Sequence, residues 1–242
     1  MKNSNKYAFN SFLKLLQTCF YLLIAAHLFS GCTTVRPLSE LKYTDGSVTE
    51  TLSGNVSLSF TGSDRSISGS GVLMFRKPDQ IRLVILSPLG SVHQEVYVHG
   101  EQITVIDSGN GIAFEGSYRH LPENGDLSGW RHIHWLFDID PSDSSRGATV
   151  IERVNKFGYQ EKAFFENGLL ISKTVASGGN VRYGKYVSID GIPLPLEITY
   201  ETEAREKFII LLDDPEINQP FAEDTFTPNL SKFRVLPLSN LK

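Results

Sequence analysis

Cysteine is nearly missing from this chain. Cys19 and Cys32 are the only two in 242 residues, which excludes a disulfide framework and a thiolate-built zinc site. Positive charge is short as well: 23 Lys and Arg face 27 Asp and Glu, a balance poorly suited to nucleic acid, where a basic patch supplies the affinity. No clean apolar run reaches the roughly 20 residues that a membrane-crossing helix needs, because Lys14, Gln17 and His27 interrupt the longest one. The Gly-rich phosphate loop and the dinucleotide fingerprint are absent. The run SISGSG (residues 66–71) lacks the G-x-S-x-G elbow of a hydrolase nucleophile, and no cofactor constellation appears. These absences move weight from catalysis towards binding.

What is present begins with an export signal. Lys2, Lys6 and Lys14 form a positive segment, residues 19–29 a short apolar one, and Ser30-Gly31-Cys32 follows, the layout of a secretory signal peptide. LFSGC resembles a bacterial lipobox, with Phe29 where leucine is usual and Leu28 beside it. The resemblance implies cleavage before Cys32 and lipid on its sulfur and new amino group. Cysteine use agrees: Cys19 leaves with the signal, so Cys32 has no partner in the mature chain, and an exported lone cysteine calls for an explanation. Two or more acyl chains anchor durably, at about 0.8 kcal/mol per buried methylene. In lipoproteins of this type an Asp after the cysteine marks inner-membrane retention. Thr33 stands there instead, which implies the outer membrane. Removing residues 1–31 removes three Lys and no acid, leaving 20 basic against 27 acidic residues and a net charge near −7. This balance is also poor for a polybasic grip on anionic lipid. Any contact with a membrane runs through acyl chains and apolar side chains.

The mature chain divides into a polar tether, residues 32–53, with a short helix expected at 38–43, and one β domain, residues 54–242. In NVSLSF, Val56, Leu58 and Phe60 alternate with Asn55, Ser57 and Ser59, the period of a half-buried strand. GVLMFR, IRLVIL, EVYVHG, QITVID, QEKAFF, GLLISKTV, VRYGKYVSI, LPLEITYE and EKFIILL follow at short spacing. Asn167-Gly168 between two of them is a type I′ hairpin signal. The pattern predicts a mainly β protein built from an antiparallel sheet or barrel. His93, Glu95, Tyr97 and His99 share one face of their strand, read as wet. The segment 126–140 breaks the pattern. Leu127, Trp130, Ile133 or His134, and Phe137 fall at helical spacing, with Asp126 as a cap and Pro141 beyond. It predicts one amphipathic helix that covers the sheet. His132 and His134 point to different faces of such a helix and make a poor metal pair, so no metal and no cofactor are expected.

The stretch GSGVLMFRKPDQIRLVILSPLGSVHQEVYVHGEQITVID resembles the LolB-type outer-membrane lipoproteins and, more distantly, their soluble relatives of the LolA type. The shared pattern is a strand, a Pro bend, an Arg-Leu-apolar strand, a Pro-Leu-Gly turn and an alternating strand. The Trp-bearing helix and the later strands are compatible with it, so the match spans roughly residues 54–227. The resemblance implies a half-open antiparallel β-barrel, a strongly curved sheet with a short helical lid, enclosing an apolar cavity for lipoprotein acyl chains. It implies a LolA-like periplasmic carrier as partner, attachment to the outer membrane facing the periplasm, and insertion of lipoproteins into that membrane by a monomer. The family's protruding leucine falls on Leu89, in the turn Pro88-Leu89-Gly90.

Leu83 and Ile85 alternate with Val84 and Leu86, so both faces of that strand are apolar. Such a strand is buried on both sides or lines a greasy cavity with one. Strand and helix positions nominate Val72, Met74, Leu83, Ile85, Trp130 and Phe137 for the cavity. Two other readings remain open at this point: an envelope structural or assembly lipoprotein with a filled core, and a carrier of another lipid. A hydrolase is disfavoured by the missing nucleophile motif.

Overall fold

The computed structural model describes residues 38–121, 128–141, 147–176 and 179–241. Cys32, the leader 1–31, and Asp126 with Leu127 lie outside the described residues. Among the described residues, thirteen strands form one curved, unclosed sheet. They are β1 (Thr51–Thr61), β2 (Ser66–Arg76), β3 (Gln80–Leu86), β4 (Val92–His99), β5 (Gln102–Asp107), β6 (Ile112–Ser117), β7 (Ala148–Val154), β8 (Gln160–Glu166), β9 (Leu169–Val175), β10 (Asn180–Ile189), β11 (Ile192–Glu201), β12 (Lys207–Ile217) and β13 (Arg234–Pro237). The spatial order is β13-β6-β5-β4-β3-β2-β1-β12-β11-β10-β9-β8-β7. Every pairing is antiparallel except β13 with β6. The first and last long strands, β1 and β12, meet in the middle and join the two halves.

Local chemistry sets the turns. Asn167 and Gly168 have φ of 50° and 76°, the left-handed pair that a type I′ hairpin requires. Asp190 and Gly191, at 50° and 79°, repeat the device between β10 and β11. A 3₁₀ turn, Leu38–Glu40, stands where the sequence predicts a short helix. Residues after it are bound to the sheet's end: the Thr44 N–H donates to the Gly191 carbonyl at 2.7 Å and the Tyr43 hydroxyl to the Asn167 carbonyl at 2.5 Å. β1 begins at Thr51.

Period-two alternation then decides which side chains face inward. Val56 and Leu58 of β1, Leu73 and Phe75 of β2, Ile81, Leu83 and Ile85 of β3, and Val96 and Val98 of β4 pack in one core. The outer face of β3 to β6 is not wet as the alternation predicts. The C-terminal segment crosses it, and Leu230 and Phe233 pack on Tyr97, Ile106 and Ala113. Arg76 stands over the Phe226 ring at 4.7 Å and Arg82 donates to the Thr225 carbonyl at 3.3 Å. Tyr97, 7% exposed, donates to Glu95, and burial first, then that bond, pushes its phenol up to about 12.

The expected amphipathic helix is instead a 3₁₀ turn, Ser128–His132, followed by a single short helix, α1 (Ile133–Phe137). All five residues of α1 are buried, so the helix has no wet face. The reason is its place inside the curve, touching both halves of the sheet. Phe137 stacks on Phe75 of β2 with centroids 5.6 Å apart, while Trp135 meets Tyr200 of β11 edge-on at 6.2 Å.

Candidate functional site

A helix this short cannot hold itself in water, and its last carbonyls lack intrahelical partners. Two inward-facing charges on the second half of the sheet meet that need. Lys173 of β9, 0% exposed, donates through Nζ to the carbonyls of Trp135 and Asp138 at 2.6 and 2.7 Å. Glu161 of β8, 2% exposed, accepts from the Trp135 indole N–H, from Asn155 at 3.0 Å and from Arg153 at 2.8 Å. Arg153 also reaches Asp140 at 2.6 Å, and the Tyr183 hydroxyl donates to the Leu136 carbonyl at 3.0 Å. Burial pushes the Lys173 ammonium down to about 8 against the pull of Asp138 and Glu161. Burial alone would raise the Glu161 carboxyl; bonds from Asn155, Trp135 and Arg153, with the Lys173 charge, outweigh it and hold it low. This clamp fixes the C-terminal end of α1.

The other end of the lid borders open space. A cleft of about 540 Å³ lies between Trp130, Ile133 and Leu136 of the lid and a wall made by Leu58, Phe60, Ile67, Gly69, Ile85, Phe208 and Ile210. It falls within the range of roughly 300–1,000 Å³ typical of small-molecule sites. Phe60 and Phe208 sit 4.7 Å apart, and Tyr200 continues the aromatic row to His132 at 5.3 Å. Burial pushes His132 down to about 4, so it sits neutral within the lid at neutral pH. Ile67 is left 46% exposed in the wall.

Ser87 and Pro88 line the same cleft and begin the turn on its rim. The Gly90 N–H donates to the Ser87 carbonyl at 2.9 Å, the Ser87 N–H to the Ser91 carbonyl at 2.8 Å, and Gly90 takes φ +81°. A leucine third in this turn has nothing to fold onto: Leu89 is 96% exposed.

The residues nominated for the cavity separate into three places. Ile85 and Trp130 line the cleft. Leu83 and Phe137 belong to the packed core deeper under the lid, and Phe137 borders a second, small cavity of about 30 Å³ near Leu52, Tyr186 and Leu194. Val72 and Met74 project from the opposite face of β2, since Leu73 and Phe75 take the inner one. Sequence reasoning passed over Leu58, Phe60, Ile67, Phe208 and Ile210 as cavity residues; Ile67 shares the inner-face parity of Leu73 and Phe75, not that of the nominated Val72 and Met74. Sequence reasoning also passed over Lys173 and Glu161. His132 and His134 are taken up by aromatic rings, His134 lying against Phe157 and Tyr118. Among the described residues no group of three or more His, Cys, Asp or Glu converges as a metal site would require.

Two glycines of β2 make the cleft testable. A Cβ on Gly71 would lie 2.2 Å from the Val84 carbonyl oxygen, so this position needs glycine for strand approach. A Cβ on Gly69 meets only Ile85 Cγ2, at 3.9 Å. Gly69→Leu is therefore expected to fold normally, within about 1 kcal/mol of wild type, and to fill part of the cleft. Titration with an uncharged apolar fluorophore should show binding at least ten-fold weaker, and unchanged binding would mean that the fluorophore sits elsewhere.

No family model matches the sequence, and no curated protein does. Solved structures do. A DUF1329 family protein from Desulfovibrio piger superposes with TM-score 0.55 at 14% identity, over 74% of this chain and 90% of that one. A LolA superfamily protein from Nitrosomonas europaea gives 0.53 at 15%, over 74% and 91%. A domain from Vibrio parahaemolyticus, named for outer membrane lipoprotein sorting, gives 0.52 at 8%, over 73% and 89%. At such identities it is architecture that is held in common, and this chain is built on the same open, curved-sheet fold as the LolA superfamily protein.

Proposed function

We propose that this protein is an outer-membrane lipoprotein, anchored through acylated Cys32 after removal of residues 1–31, with the residues next after Cys32 as a tether that leads into the binding domain. It receives lipoprotein acyl chains from a LolA-like periplasmic carrier and releases them into the outer membrane, acting as a LolB-type acceptor. The observation that carries this reading is the open apolar cleft with a fully exposed leucine on its rim. Leaving such surface uncovered forgoes about 25 cal/mol per Å² of burial, so the fold has sacrificed stability there. A methylene fills about the volume of one water in the liquid, ~30 Å³, so a cleft of about 540 Å³ holds on the order of 18 carbons, the scale of one acyl chain. No reacting group is needed, because transfer runs down a gradient of apolar affinity from carrier to cleft to bilayer. The names of the structural neighbours support an envelope lipid-handling role.

Depletion of the protein in its own cells tests the reading. Outer-membrane lipoproteins should then accumulate on the carrier or in the inner membrane; correct placement without the protein would refute it.

A further inference from the structure

We infer that the cleft takes an acyl ligand whose polar end is uncharged — an ester, an amide or a hydroxyl — in preference to a free carboxylate or phosphate. The inference rests on the acyl-chain reading above and adds the chemistry of the polar end. Among the described residues, the polar lining of the cleft consists of Ser59, Ser68, Ser87, His93 and Gln94, with no Lys, Arg, Asp or Glu. An anionic head with no cation to meet it would be desolvated without compensation, which is costly. A neutral ester or amide asks only for hydrogen bonds.

Gln94 is placed to give them. It pairs with Ile85 across the β3–β4 ladder, on the inner face, and its amide has no hydrogen-bond partner among the described residues. An amide both donates and accepts, which suits a carbonyl or hydroxyl equally. The charge that the next ladder sets beside it is Asp107, the partner of Gln94 on β5. The Asn110 side chain, above all, holds that carboxyl ionised, so an anion at this edge meets repulsion. The cations of the strands around the cleft are turned away. Arg76 and Arg82 lie on the outer face, held by Phe226 and by Glu95 with the Thr225 carbonyl. Lys207 alternates with the inward Phe208 and so points outward.

The test is displacement of N-phenyl-1-naphthylamine, an uncharged apolar fluorophore, from the full mature chain. The competitors are a monoacylglycerol, the matching fatty acid and the matching alkyl phosphate, all of one chain length, at a pH where both acids are ionised. The monoacylglycerol should compete at least ten-fold more strongly than either anion. Gln94→Lys, which puts a cation at the polar end, should shift the ratio at least ten-fold towards the fatty acid. Equal or stronger competition by the anions in wild type overturns the inference while leaving acyl binding intact, as does a folded Gln94→Lys with an unchanged ratio. If none of the three displaces the fluorophore, the acyl-chain reading itself fails. Should Gln94→Lys not fold, the wild-type ratio decides alone.

Discussion

Lys173→Met is expected to lower the unfolding free energy by about 3–5 kcal/mol, the range for removing one member of a buried charged network. Methionine matches the length of lysine but donates nothing. The carbonyls of Trp135 and Asp138, which Nζ meets at 2.6 and 2.7 Å, would be left buried without that donor, at roughly 1–3 kcal/mol each. Glu161 would also lose a countercharge that helps hold it ionised. A purely steric role for Lys173 predicts a small loss that does not vary with pH. A buried, desolvated ammonium predicts one that does. The folded ammonium titrates at about 8, below its ordinary 10.5, so the folded chain gives up its proton before the unfolded chain does. Wild-type stability therefore rises as pH climbs from about 8 towards 10.5. The methionine variant lacks this group, and the gap between the two proteins should widen over that window by up to about 1.4 kcal/mol per pH unit. Urea unfolding of both proteins across the window reads it directly; a constant gap would mean that burial does not hold the folded ammonium below its ordinary value.

Leu89→Glu should leave the fold and the cleft as they are and abolish delivery. At 96% exposure the leucine contributes almost no folding energy, and surface changes of this kind usually stay within about 0.5 kcal/mol. Ser87 and Gly90 close the turn through their own backbone, so the side chain is not needed to shape it. In a membrane the balance reverses. Leucine favours the hydrocarbon by about 0.5 kcal/mol and a charged residue opposes it by about 3 kcal/mol at full insertion, a swing worth at least two decades in partition. Fluorophore binding and Tm should match wild type, while transfer of a lipoprotein from carrier to vesicles falls about 100-fold. If the variant instead unfolds, Leu89 packs down on the sheet end and the exposed-probe reading is lost.

The legible part of the fold was the part where burial alternates. NVSLSF shows it, and the turn residues Asn167 and Gly168 were legible as well, since their left-handed φ follows from chemistry alone. β7 was missed because it shows no alternation: Val150 and Val154 are each 58% exposed on an edge strand. β13 was missed because it is four residues long and pairs in parallel. In GVLMFR every residue after the glycine and before the arginine is apolar, so period two could not choose between Val72 with Met74 and Leu73 with Phe75. The strand-to-strand approach at Gly71 fixes that parity in space. The helix was misjudged for a related reason. Helical spacing reports one apolar face, whereas α1 is enclosed on all sides and its cap is a lysine 38 residues away from Trp135 in sequence. Glu161 could have been found, since it shares parity with Ala163 and Phe165. A charge on an apolar face is a signal that the strand pattern carries and that a search for catalytic motifs overlooks. Leu89 was singled out by the family resemblance, not by the turn chemistry, which alone favours a leucine folded down onto the sheet end; it stands 96% exposed instead.

The most direct test is to place a photoreactive amino acid at Ile67, in the cleft wall, or at Val72, on the outer face of the same strand, and to irradiate cells that are exporting lipoproteins. The account predicts a covalent adduct to lipoprotein acyl chains from position 67 and none from position 72. Equal capture from both positions, or capture from 72 alone, would contradict it.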